Sequence, residues 1–125
     1  MSHWPVTRDK EGITGIIFIE FEKILKFTTQ SNRVMVHTSD EVYYQLDNLD
    51  RLESALKAST DRFERADRGN LIDLTQVVEI DDKFSKAYFR NSSPEGKSKE
   101  ATISKPGNYQ RIKKRFLELN GDHSD

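Results

Sequence analysis

No cysteine occurs in the 125 residues. That removes disulfides, thiol catalysis and the commoner zinc sites at once, and it fits a reducing compartment. Long apolar runs are missing too. The longest uncharged one is Gly15–Ile19, far short of what a bilayer requires, and the opening MSHWPVTRDKE lacks the basic and apolar regions of a signal peptide. A soluble, cytoplasmic protein without membrane insertion is expected. Histidine is scarce: His3 and His123 lie in the tails and His37 stands alone between them. No metal-binding pair and no nucleophile-base order can be assembled from them, and there is no glycine-rich phosphate loop. Neither an enzyme nor a cofactor is expected, and Asp81-Asp82 reads as a turn.

What is present fits one domain, large enough to bury about 70% of the surface its unfolded form exposes. Apolar residues make up 34% and charged residues 33%, lean for a helical bundle but workable for thin sheets whose strands alternate in and out. A net charge of −1 would ordinarily argue against a nucleic-acid partner. The charges are segregated, however. Residues 38–82 carry 12 acids and 5 bases, whereas residues 83–115 carry 10 bases against Glu95 and Glu100, a balance of +8. That run is either a phosphate-facing surface or a solvated one that maintains solubility.

The most informative stretch is FERADRGNLIDLTQVVEI, Phe63 to Ile80. Its apolar residues are interrupted by Asp67-Arg68-Gly69-Asn70, which reads as strand, tight loop, strand. Gly69 and Asn70 are the residue types that most easily take positive φ, Asp67 can cap the turn with its own side chain, and Arg68 is left pointing outward. Before it, residues 1–12 form a lead-in with Trp4 pinned onto the sheet, and Ile13–Phe21 reads as a strand. Ile24–Thr28 and Arg33–Thr38 flank the polar turn Thr29-Gln30-Ser31-Asn32 as a hairpin, and Val42–Leu46 adds the next strand. Asp47 or Asn48 caps a short helix whose Leu49, Leu52 and Leu56 share a face, ending near residues 58–60. Beyond the central stretch, Ser85–Arg90 and Glu100–Ser104 are strands around the exposed loop NSSPEGKSK, 91–99. Tyr109, Ile112, Phe116 and Leu119 form the stripe of a basic helix over 107–119, ended by Asn120-Gly121. Residues 121–125 are a tail.

The central stretch resembles the signature of the LytTR DNA-binding domain, F-x-R-x-H-R-S-x-x-V-N followed by an apolar strand. Phe63 and Arg65 stand at its first two positions, Arg68 at the Arg, and Leu71 and Ile72 at the apolar pair; the signature's His is Asp67 here and its Asn is Asp73. The early strands, the helix before the signature and Ile103-Ser104-Lys105 at the place of V-S-R extend the resemblance over about residues 13–120. It implies a mainly β fold with two short helices, small antiparallel sheets packed as an elongated β-sandwich. It also implies a bacterial transcription regulator that inserts loops, not a recognition helix, into successive major grooves of double-stranded DNA, two copies to a repeated site.

Three loops would then face DNA. The first offers His37, Gln30, Asn32 and Arg33, the second Asp67, Arg68 and Asn70, and the third Ser104 and Lys105. Arg68 either forks onto guanine O6/N7 or a phosphate, or stacks on a strand or pairs with Asp67. Asp67 orients Arg68, accepts from cytosine N4 or simply forms the turn. Asn70 pairs with adenine or is a turn former, and His37 is a contact or an ordinary strand end. Lys105, Lys97 and Lys99 meet phosphate, which positions without specifying, or the last two are merely solvated. With no room for a receiver domain, the expected regulator stands alone and takes its signal from abundance, a ligand or a regulatory partner protein. The other reading keeps the fold but loses DNA binding, with Asp67, Asp73 and the acidic middle serving protein contacts.

Overall fold

Alternating short strands dominate the computed structural model, which describes residues 3–90 and 99–121. In chain order these are β1 (His3–Thr7), β2 (Ile16–Glu20), β3 (Lys26–Gln30), β4 (Arg33–His37), β5 (Val42–Gln45), α1 (Leu49–Ser59), β6 (Phe63–Asp67), β7 (Asn70–Asp73), β8 (Val77–Asp81), β9 (Lys86–Phe89), β10 (Glu100–Thr102) and α2 (Gly107–Gly121). Seven strands join in the order β2-β1-β5-β4-β3-β7-β6, three more in the order β10-β9-β8, and every pairing is antiparallel. The β3–β4 turn is the two residues Ser31 and Asn32 at φ 50° and 63°, the left-handed pair that matches the twist of a tight hairpin.

Each face of the large sheet has its own core. On one, Phe27, Val34, Val36, Phe63 and Leu71 meet Leu49, Leu52 and Leu56 of α1. That helix starts because Asn48 Oδ1 accepts the Arg51 N–H at 2.8 Å. Trp4, Phe21, Phe27 and Phe63 make a chain of tilted rings 5.3 to 5.9 Å apart across this core, and a fully buried Phe contributes about 2–3 kcal/mol. On the other face, Leu25, Ala66 and Ile72 pack against Ala87, Phe89, Ala101 and Ile103 of the small sheet, and Tyr109 and Ile112 of α2 close the space.

Several expected boundaries shift. The lead-in contains a strand, β1, paired with both β2 and β5. The expected strand over Ile13–Phe21 is shorter, because Gly12 and Gly15 turn the chain at φ 76° and 89° and Phe21 swings into the core. Leu71 to Ile80 is not one strand: the 3₁₀ turn Leu74–Gln76 carries the chain from β7 in the large sheet to β8 in the small one. Nor do Gly69 and Asn70 take positive φ. A bulge between Arg65 and Asp67 absorbs the bend instead.

Two side chains of the large sheet cover the outer edge of β10, and the backbone just after β10 bonds to β6. Lys26 Nζ donates to the Glu100 carbonyl at 2.7 Å, Asn70 Nδ2 to the Thr102 carbonyl at 3.0 Å, and the Ser104 N–H to the Ala66 carbonyl at 2.9 Å. These bonds occupy backbone acceptors that an edge strand otherwise leaves open, and they fix the β10–α2 loop beside the β6–β7 turn.

Candidate nucleic-acid interface

The β6–β7 turn is built so that one arginine holds it and the next is presented. Arg65, little exposed, donates from Nε to the Asp67 carbonyl at 3.1 Å and from Nη2 to the Arg68 carbonyl at 2.6 Å. Its Nη1 lies 2.9 Å from Asp50 and 2.8 Å from Glu53 of α1. The turn is thus tied to the helix through a guanidinium whose fork suits two acceptors at once. Asp67 Oδ1 accepts the Arg68 N–H at 2.6 Å, the capping role expected of it. The Arg68 side chain is exposed. Together with Arg65, Asp67, Ser104 and Asn108 it lines a shallow basin between the β6–β7 turn and the start of α2. Lys105 follows Ser104 directly; its Nζ donates to the Asp82 carbonyl at 2.9 Å and lies over the Tyr109 ring.

The +8 run does not behave as one positive surface. Lys86 pairs with Glu100 at 2.7 Å, Lys113 with Asp82 at 2.8 Å, and Arg111 and Arg115 with Glu64. Four of its bases therefore serve acids of the protein; Glu100 is already in the balance of +8, but Asp82 and Glu64 lie outside the run and lower the charge available to a polyanion below that count.

A family model of the LytTr DNA-binding domain matches residues 14–106. The chain belongs to the LytTR DNA-binding domain family. Four chains of known structure also match. One is the LytTr DNA-binding domain of a Bacillus cereus protein described as a methyl-accepting/DNA response regulator: TM-score 0.61, 17% identity, covering 97% of this chain and 98% of that one. No curated protein matches. The mainly β architecture with two helices agrees with the LytTR fold. The two departures from the LytTR signature have local explanations. Asp67 caps its own turn. Asp73 is fully buried at the start of the 3₁₀ turn, where it accepts from the Thr75 N–H at 3.0 Å, the Thr75 hydroxyl at 2.6 Å and Arg62 Nη2 at 2.6 Å.

The other LytTR candidates scatter. Asn32 is exposed at the hairpin tip, and Gly69 accepts the Thr29 N–H at 3.2 Å, which places that hairpin beside the Arg68 turn. Arg33 pairs with Glu11 at 3.3 Å. Asn70 spends its amide on Thr102. Lys97 lies outside the described residues. His37 and Lys99 lie near the opposite end of the β3–β4 pair from the hairpin tip. There His37 Nε2 shares a hydrogen bond with the Thr28 hydroxyl at 2.8 Å and Nδ1 is 3.5 Å from Lys99 Nζ. Sequence reasoning gave no role in the interface to Arg65 as a brace, nor to Asn108, which donates to Ser104 Oγ at 2.8 Å. Arg65 stood in the signature, but only the bulged turn reveals what it holds. Among the described residues no group of His, Cys, Asp and Glu could hold a metal ion, and no helix is long and apolar enough to cross a membrane.

Burial first, then the Lys26 and Lys99 charges, push His37 down to about 3, whereas an unfolded histidine titrates near 6.5. Between those values unfolding takes up a proton, so this contribution to stability is complete above about pH 6.5 and drains as pH falls toward 3. Replacing His37 with Gln, which can still bond Thr28, should flatten the fall of the melting temperature between about pH 6.5 and 4. Parallel melting curves of the two proteins across that range would contradict the assignment.

Proposed function

We propose that this chain is a sequence-specific DNA-binding transcriptional regulator. It presents loops to successive major grooves of a repeated site, with two copies per site. One observation carries the reading: a braced turn displays Arg68 over a basin shared with Ser104 and Asn108, one residue from Lys105. A held backbone with an outward guanidinium is what reading a base edge requires, since the contact then costs little ordering. Asp73, which motivated a protein-contact reading, is buried on Arg62 and offers no surface charge to repel phosphate.

The test is a fluorescence-anisotropy titration over fragments from upstream of the protein's own gene, repeated across a salt series. For about five phosphate contacts the slope of log K against log salt should be roughly −4 to −5. Stoichiometry at saturation should be two proteins per duplex. Affinity that does not change with salt would refute the proposal.

A further inference from the structure

The β8–β9 turn, Asp82 to Ser85, has chemistry that neither the fold nor the loops above use. The acids at and just before its start are occupied. Asp81 Oδ1 accepts the N–H groups of Lys83 and Phe84 at 2.8 and 3.0 Å, while the Asp82 carboxylate takes the Tyr109 hydroxyl and Lys113 Nζ. What the turn offers outward is a cation and an aromatic. Lys83 and Phe84 are both exposed, Phe84 by 62%, and Lys83 Nζ lies 5.5 Å from the centre of the Phe84 ring.

Such exposure is not the accident of a loose loop. Ser85 is held at φ 54°, its hydroxyl donates to the Ile103 carbonyl, and the Ile103 N–H returns to the Ser85 carbonyl at 2.9 Å. Lys105 Nζ bonds the Asp82 carbonyl, so the turn abuts the same β10–α2 loop whose Ser104 lines the Arg68 basin. A ring kept in water by a rigid backbone, next to a lysine and continuous with a basic loop, fits a ligand that is anionic with apolar ring faces. Duplex DNA, with phosphates flanking deoxyribose and base edges, has that chemistry.

We propose that the β8–β9 turn is a further contact to the same duplex, with Lys83 neutralising a phosphate and Phe84 packing its ring on the adjoining sugar and base edge. The inference rests on the DNA-binding reading above. Because Lys83 and Phe84 are exposed, alanine at either position should leave the melting temperature unchanged, so binding can be read directly. In anisotropy titrations on a bound upstream fragment, Lys83→Ala should shrink the salt slope by about 0.9. Phe84→Ala should weaken binding roughly five- to tenfold at an unchanged slope, through loss of the ring partly buried on the duplex.

If both variants bind like the parent while Arg68→Ala loses affinity, the turn is no contact and the proposal falls, with the DNA reading intact. If the parent itself shows no salt-dependent binding, both fall together. Equal losses of slope and affinity on an unrelated duplex as well as the upstream fragment would support Lys83 as a positioning contact rather than one that reads sequence.

Discussion

Arg62→Ala is expected to lower the unfolding free energy by about 3 kcal/mol, near the lower end for breaking a buried ion pair. The reason is what remains. Asp73 is fully buried while Arg62 is about a quarter exposed, so removing the arginine leaves a carboxylate in the core with the Thr75 N–H and hydroxyl as its donors among the described residues. The substitution also removes the guanidinium from beside the Phe21 ring, 5.7 Å away. Asp73→Asn should cost less, because a carboxamide can still accept from Thr75 and the arginine, about a quarter exposed, can turn to water. Combined, Arg62→Ala and Asp73→Asn should destabilise less than the sum of the singles by about 1–2 kcal/mol, the coupling that a double-mutant cycle isolates. Urea unfolding of the four proteins measures it. Strict additivity would mean that the pair is incidental and that the Asp at this position of the signature has no compensating partner.

That pair marks the limit of what could be read in advance. Local signals were legible: the hairpin turn within Thr29–Asn32, which the structure narrows to Ser31-Asn32, a cap at Asp47 or Asn48, the leucine face of α1 and the break at Asp67–Asn70 each depend on neighbours within a few residues. What stayed hidden depends on distant partners. β1 contains Pro5 and no clear alternation, and it becomes a strand because Ile16–Glu20 and Tyr44 flank it. Asn70 looked like a turn residue or an adenine reader, yet its amide meets a carbonyl 32 positions later. The basic run 83–115 looked like one surface because linear counting cannot see that Glu64, supplied by β6, and Asp82, just before that run, absorb Lys113, Arg111 and Arg115. The outward Arg68 was readable because turn and residue coincide, but the brace behind it was not, since Arg65 reaches forward around a bulge.

Arg68→Ala should reduce affinity for the upstream fragment by about 1–3 kcal/mol if the side chain reads a base, with folding stability changed by less than about 0.5 kcal/mol because the side chain is exposed. Arg68→Lys separates the modes of contact. A bidentate fork onto guanine cannot be reproduced by an ammonium, so lysine should then be nearly as damaging as alanine; at a phosphate, lysine should restore most of the binding and the salt slope. Arg65→Ala serves as the contrasting case. It removes the donors to the Asp67 and Arg68 carbonyls and leaves Asp50 and Glu53 without their shared cation, so stability and DNA affinity should fall together. Loss of binding with Arg65→Ala but full binding with Arg68→Ala would place recognition elsewhere on the turn. The braced backbone would then matter for the loops it supports, not for the arginine it displays.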